Sequence, residues 1–156
     1  MKKVFLMTLF AALLLFSACR KENVMPVSQP PQVVVTLPEG EVTRSSVEFH
    51  WRWTDENGQE MGSTRHAERI ARWWDRDPHL TTASDTAQLV FALPPDAVEV
   101  TRYDPATDRK QFMKLEDVTV MPLDEGRITY EIKGKWTDKS RGWYGEALYS
   151  ICIEKK

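Results

Sequence analysis

Carboxylate and imidazole at alternate positions, Asp75-x-Asp77-x-His79, come nearest to a chemical constellation in this chain, with His66 and Glu68 just upstream. Both groups ligate Zn²⁺, yet zinc sites that can be read from sequence space their ligands more tightly or use Cys. Asp75, Asp77 and His79 are therefore weak metal candidates, and a solvated capping loop is the competing reading. Asp55-Glu56 and Glu116-Asp117 are adjacent carboxylates in turn-like sequence. Neighbours on a strand point to opposite faces, so neither pair makes the shared site that glycoside hydrolysis needs. Nucleophilic catalysis needs a nucleophile, a base and an orienting group. No serine sits in a Gly-x-Ser-x-Gly elbow, and the 7 glycines form no phosphate-binding loop. Cys152, within Ser150-Ile151-Cys152-Ile153, reads as a buried structural thiol. No catalytic residue and no cofactor is assigned.

The chain holds 6 tryptophans in 156 residues, a high proportion. Trp51, Trp53 and Trp136 fall on strand-like alternation and are expected in the core. Trp73 and Trp74 are adjacent, so one helix face does not bury both. Trp74 shares the face of Ala67, Ile70 and Ala71, which leaves Trp73 nearer the edge. Trp143-Tyr144 follows the polar run Asp138-Lys139-Ser140-Arg141-Gly142. Aromatic rings beside Arg suit recognition of a sugar face or of a protein hot spot. The same rings can instead plug the open end of a fold. Trp73, Trp74, Arg141, Trp143 and Tyr144 are the candidate binding residues.

The elements that must position these residues begin after a leader. Met1-Lys2-Lys3 precedes an apolar run, Val4 to Phe16, broken only by Thr8. At the helical rise this run reaches about 20 Å, short of the roughly 30 Å hydrocarbon core, so a cleaved signal is expected rather than a membrane span. Phe16-Ser17-Ala18-Cys19 resembles the lipobox of bacterial lipoproteins, with Phe where Leu is usual. That resemblance implies residues 1–18 are a signal peptide and Cys19 is the lipidation site. Two acyl chains there give a stable membrane anchor where one is marginal. Pro26, Pro30 and Pro31 then mark residues 19–32 as a lipidated Cys plus an extended tether. With Cys19 acylated, Cys152 has no partner for an intrachain disulfide. Lys+Arg 21 against Asp+Glu 23 gives a net charge of −2, and loss of Lys2 and Lys3 makes the mature chain more acidic. Nucleic-acid binding thus lacks its electrostatic basis.

From Val33 to Lys156 most apolar runs have period 2. Val47, Phe49, Trp51 and Trp53 alternate with Glu48, His50 and Arg52, a half-buried strand. Gln32–Leu37, Thr86–Leu93, Ala97–Tyr103, Gln111–Leu115, the Val118/Val120 stretch, Arg127–Trp136 and Gly145–Glu154 read as further strands, divided by Pro, Gly and Asp-rich turns. Ala67, Ile70, Ala71 and Trp74 instead share helical spacing, so one short helix or ordered loop is expected near 64–75. The fold class is all-β, a sandwich of about seven to eight strands. Leu123-Asp124-Glu125-Gly126-Arg127-Ile128-Thr129-Tyr130 resembles the E–F corner of immunoglobulin-like and fibronectin-type domains. There a Tyr turns its hydroxyl back to the backbone just upstream, and Tyr130 is the matching residue. The resemblance implies an immunoglobulin-like antiparallel β-sandwich. Trp51-Arg52-Trp53, Asp77-Pro78-His79-Leu80, Pro95–Val100 and Gly145–Ile151 are similar to pieces of small lipoproteins of Gram-positive gut bacteria, with His and Pro exchanged in the second piece. This implies place and fold, not chemistry.

The expected protein is non-enzymatic and lipid-anchored on the extracytoplasmic face of a bacterial membrane, binding protein or glycan through loop aromatics. An accessory subunit of an envelope complex is the second expectation. A metal-dependent or glycan hydrolase is the third.

Overall fold

The computed structural model describes residues 27–67 and 78–156. In chain order the strands are β1 (Val33–Leu37), β2 (Gly40–Arg44), β3 (Glu48–Thr54), β4 (Glu60–Arg65), β5 (Leu80–Thr82), β6 (Thr86–Phe91), β7 (Ala97–Asp104), β8 (Arg109–Lys114), β9 (Val120–Pro122), β10 (Gly126–Trp136) and β11 (Trp143–Lys155). They make a four-stranded sheet ordered β2-β1-β6-β9 and a seven-stranded sheet ordered β4-β3-β11-β10-β7-β8, with β5 added beside β11. Every pairing is antiparallel except β5 with β11. The fold is an all-β sandwich, with more strands than the seven to eight that periodicity predicts.

The additional strands are those without an apolar rhythm. β4 reads Glu-Met-Gly-Ser-Thr-Arg and is almost wholly exposed. It forms because the Asp55–Gln59 turn returns it against β3, with Asp55 Oδ1 accepting from the N–H groups of Asn57 and Gln59. β2 forms in the same way across Pro38-Glu39 against β1. β5 is three residues long and joins the sheet beside Ile153. The short helix expected near 64–75 is corrected at its start. Thr64 and Arg65 close β4, where Thr64 pairs with His50, and a β-branched residue suits that ladder. Among the described residues there is no α-helix, and the rest of the expected segment lies outside the described residues from 68 onward.

The core lies between the sheets. β6 buries Ala87, Leu89 and Phe91 and exposes the residues between them. β1 buries Val33, Val35 and Leu37 and leaves Val34 and Thr36 half-buried. Facing them are Val98, Val100, Ile128, Tyr130, Ile132, Tyr149, Ile151 and Ile153. At one end, the aromatic end, Trp51 stacks on Trp143 at 5.7 Å and meets Trp136 edge-on at 5.2 Å. The buried indoles satisfy their N–H groups on backbone carbonyls, Trp51 on Val27 and Trp136 on Leu93. At the other end, the corner end, the backbone N–H of Asp124 donates to the Tyr130 hydroxyl at 2.9 Å. Burial pushes that hydroxyl up to about 12.

Contacts with this core begin before Val33. Val27 packs against it, and the carbonyl of Pro31 accepts from the buried Tyr149 hydroxyl at 2.6 Å. From Val27 the chain runs beside the aromatic end, and β1 carries it toward the corner end.

Candidate functional site

The sequence-derived candidates separate in space. Trp73, Trp74, Asp75, Asp77 and Cys19 lie outside the described residues. His79 is described, and its ring faces the chain itself. The Cys152 backbone N–H donates to His79 Nδ1 at 3.0 Å, and the His79 N–H donates back to the Cys152 carbonyl at 2.8 Å. His79 thereby fastens the start of β5 to β11. Among the described residues no three His, Cys, Asp or Glu side chains gather as a metal site. Cys152 is free and 2% exposed.

Arg141, Trp143 and Tyr144 sit together at the aromatic end and face different surroundings. Trp143 opens β11 and is buried, its ring against Trp51. The Arg141 guanidinium covers it at 5.6 Å. Arg141 also pairs with Asp96 at 2.8 Å, and Asp96 accepts from the N–H groups of Thr137 and Asp138. Those donors, the Thr137 N–H above all, hold the Asp96 carboxyl below the usual carboxylate range. Asp138 caps a single 3₁₀ turn, Lys139–Arg141, which ends at Gly142 with φ 78°. Gly142 supplies the left-handed conformation that this turn needs to feed β11. The loop is thus pinned through one carboxylate to the β6–β7 connection.

Tyr144 points the other way, onto the outer face of the larger sheet. Its hydroxyl donates to Glu60 at 2.8 Å, and Arg52 pairs with the same carboxylate at 2.9 Å. The tyrosine bond, then Arg52, lowers the Glu60 pKa, and the same bond raises that of Tyr144. Lys139 lies 4.8 Å over the Tyr144 ring.

Cross-strand register extends this outer face toward the middle of the sheet. Glu146 stands opposite His50, and Leu148 stands opposite Glu48. His50 Nδ1 meets the Thr64 hydroxyl at 3.0 Å, and Lys133 pairs with Glu146 at 2.8 Å. Glu48, His50, Thr64, Lys133, Glu146 and Leu148 line a groove of about 310 Å³. Both charges, an imidazole, a hydroxyl and an apolar floor are offered side by side on a rigid sheet. His50 and Thr64 are a hydroxyl–imidazole pair, which by itself does not make a catalytic constellation. The arrangement can hold a ligand by hydrogen bonds and charge. Sequence reading placed His50 outward on its strand and did not single out the other five. Alternation within β3, β10 and β11 marks an outward face, but only register brings these strands and β4 together.

The same face holds a covered patch farther along. Tyr103, Thr129 and Cys152 are cross-strand neighbours, and with Ser150 they are buried on the side opposite the core. Thr129 Oγ1 and Glu131 Oε1 are buried there with no hydrogen-bond partner among the described residues, and burial raises the Glu131 carboxyl above its ordinary value. No family model, no curated protein and no solved structure matches this chain.

Proposed function

We propose that this protein is a lipid-anchored, extracytoplasmic binding module on an immunoglobulin-like sandwich. It takes a protein or glycan ligand on the outer face of its larger sheet. One observation carries the binding reading: the groove of about 310 Å³, with Tyr144 two residues from its lining Glu146 on the same outward face of β11. A flat aromatic ring at the end of a row of donors and acceptors suits a sugar ring or a peptide side chain. The Asp124–Tyr130 contact supports the immunoglobulin-like assignment, because the corner Tyr of that class bonds the backbone just upstream. The lipobox-like Cys19 supports the anchor.

Glycan and protein arrays probed with the wild-type domain test this, followed by the double variant Lys133→Ala with Tyr144→Ala. A ligand whose affinity falls at least about tenfold in the variant, at unchanged melting temperature, is the expected result. Array ligands that bind the variant as tightly as the wild type would overturn the assigned face. Labelled fatty acid that enters the wild type and spares Cys19→Ser is the expected outcome for the anchor. Equal labelling of the two, or none, removes it.

A further inference from the structure

We infer that the aromatic end of the sandwich is the membrane-facing end, so that the Lys139–Tyr144 loop lies toward the lipid headgroups. The Pro38-Glu39, Asp104–Asp108 and Leu123–Gly126 turns then point outward. This rests on the lipid anchor at Cys19 proposed above.

The first observation is where the chain meets the domain. The Val27 carbonyl accepts from the Trp51 indole at 2.9 Å, which fixes Val27 beside the aromatic end. Trp51 stands opposite Gly145, close to the start of β11. From there the path runs one way. Pro31 is bonded by Tyr149, Val33 stands opposite Phe91, and Leu37 reaches the β1–β2 turn. At that turn Glu39 accepts from Thr82 at 2.6 Å, and Thr82 lies beside Lys155 at the close of β11.

The second observation is length. Eight Cα steps separate Cys19 from Val27. They reach about 28 Å at full extension, and roughly 16 Å as a flexible coil. The rise along β11 from Gly145 to Lys155 is about 33 Å before any turn is added. With the corner end against the bilayer, Val27 would stand farther from the surface than its tether can stretch. Only orientations that keep Val27 within that reach remain, which removes the inverted upright pose and biases the rest toward the aromatic end. On average that end is closer to the lipid.

This orientation sorts the surfaces. The Arg141–Asp96 clamp and the 3₁₀ turn face the headgroup layer. The groove around His50 and Lys133 lies part-way along the sheet and faces sideways, where it stays open to ligand.

Fluorescence transfer on the full-length lipidated protein tests the orientation. A donor dye is attached through Asn57→Cys, in the β3–β4 turn at the aromatic end, or Ala106→Cys, in the β7–β8 turn at the corner end. Both positions are exposed, and Cys152 is buried, so the introduced thiol takes the dye. The vesicles are phosphatidylcholine with phosphatidylglycerol and carry a headgroup-linked acceptor. Greater loss of donor emission at residue 57 than at residue 106 is the expected result. Equal loss, or greater loss at 106, on protein that floats with the vesicles overturns the orientation and leaves the anchor standing. Protein that fails to float, as Cys19→Ser must, overturns the anchor and the orientation together.

Discussion

Gly145 shows how a single residue carries the joint between β3 and β11. Its φ is 147°, and a Cβ there would lie 2.2 Å from the His50 carbonyl oxygen. Trp51 lies against the same spot, with ring and backbone atoms at 3.0 Å, so neither backbone nor core can retreat. Gly145→Ala therefore adds left-handed strain to overpacking, each of which costs about 1–3 kcal/mol. Urea unfolding should show a midpoint well below wild type, and an unchanged midpoint would contradict the close approach. Gly145 was legible as the start of a strand and not as a contact. The atom it must avoid belongs to His50, far away in sequence. Tyr130 is the opposite case. Its resemblance to the corner tyrosine of immunoglobulin-like domains implied a hydroxyl bonded to the backbone just upstream, and the Asp124 N–H is that partner.

Among the elements, the stretch from Val27 to Gln32 behaves differently from its composition. Proline and polar residues read as an extended tether, yet its carbonyls are acceptors for two buried side chains. Tyr149→Phe removes one of them and leaves the Pro31 carbonyl without that donor. The expected cost is about 1–3 kcal/mol, with faster protease cleavage within residues 27–32. Matching cleavage rates in variant and wild type would show that the stretch is not held by this bond. β6 and β10 were legible because alternation at period 2 is a local property of a strand with one buried face. β4 was not legible, since every side chain on it is polar or exposed and its only reason to be a strand is β3.

At the scale of the molecule, the buried phenols set an alkaline limit. Burial raises Tyr130 to about 12, from an ordinary 10.0, and Tyr149 rises further. Both native hydroxyls keep their protons where the unfolded chain releases them. Stability is therefore full below about pH 10 and falls as pH climbs through that range. In an ultraviolet titration, phenolate absorbance from Tyr130 and Tyr149 should appear only on unfolding. Ionisation of all four tyrosines near pH 10 with the fold intact would contradict it. The groove belongs to this scale too, since Glu48, Lys133 and Glu146 come from three distant stretches that only the β3-β11-β10 order joins.

The amino-acid sequence alone determined the all-β class, most strand positions, the inward faces and the buried thiol. Each of these follows from neighbours a few residues apart, where side-chain alternation and turn chemistry operate. Tertiary structure decided the order of strands, the polar edge strands, the docking of residues 27–32, and which outward side chains share a groove. Those depend on pairing register between distant segments. Register is chosen by how both sheets bury their apolar faces at once, and no local stretch carries that information.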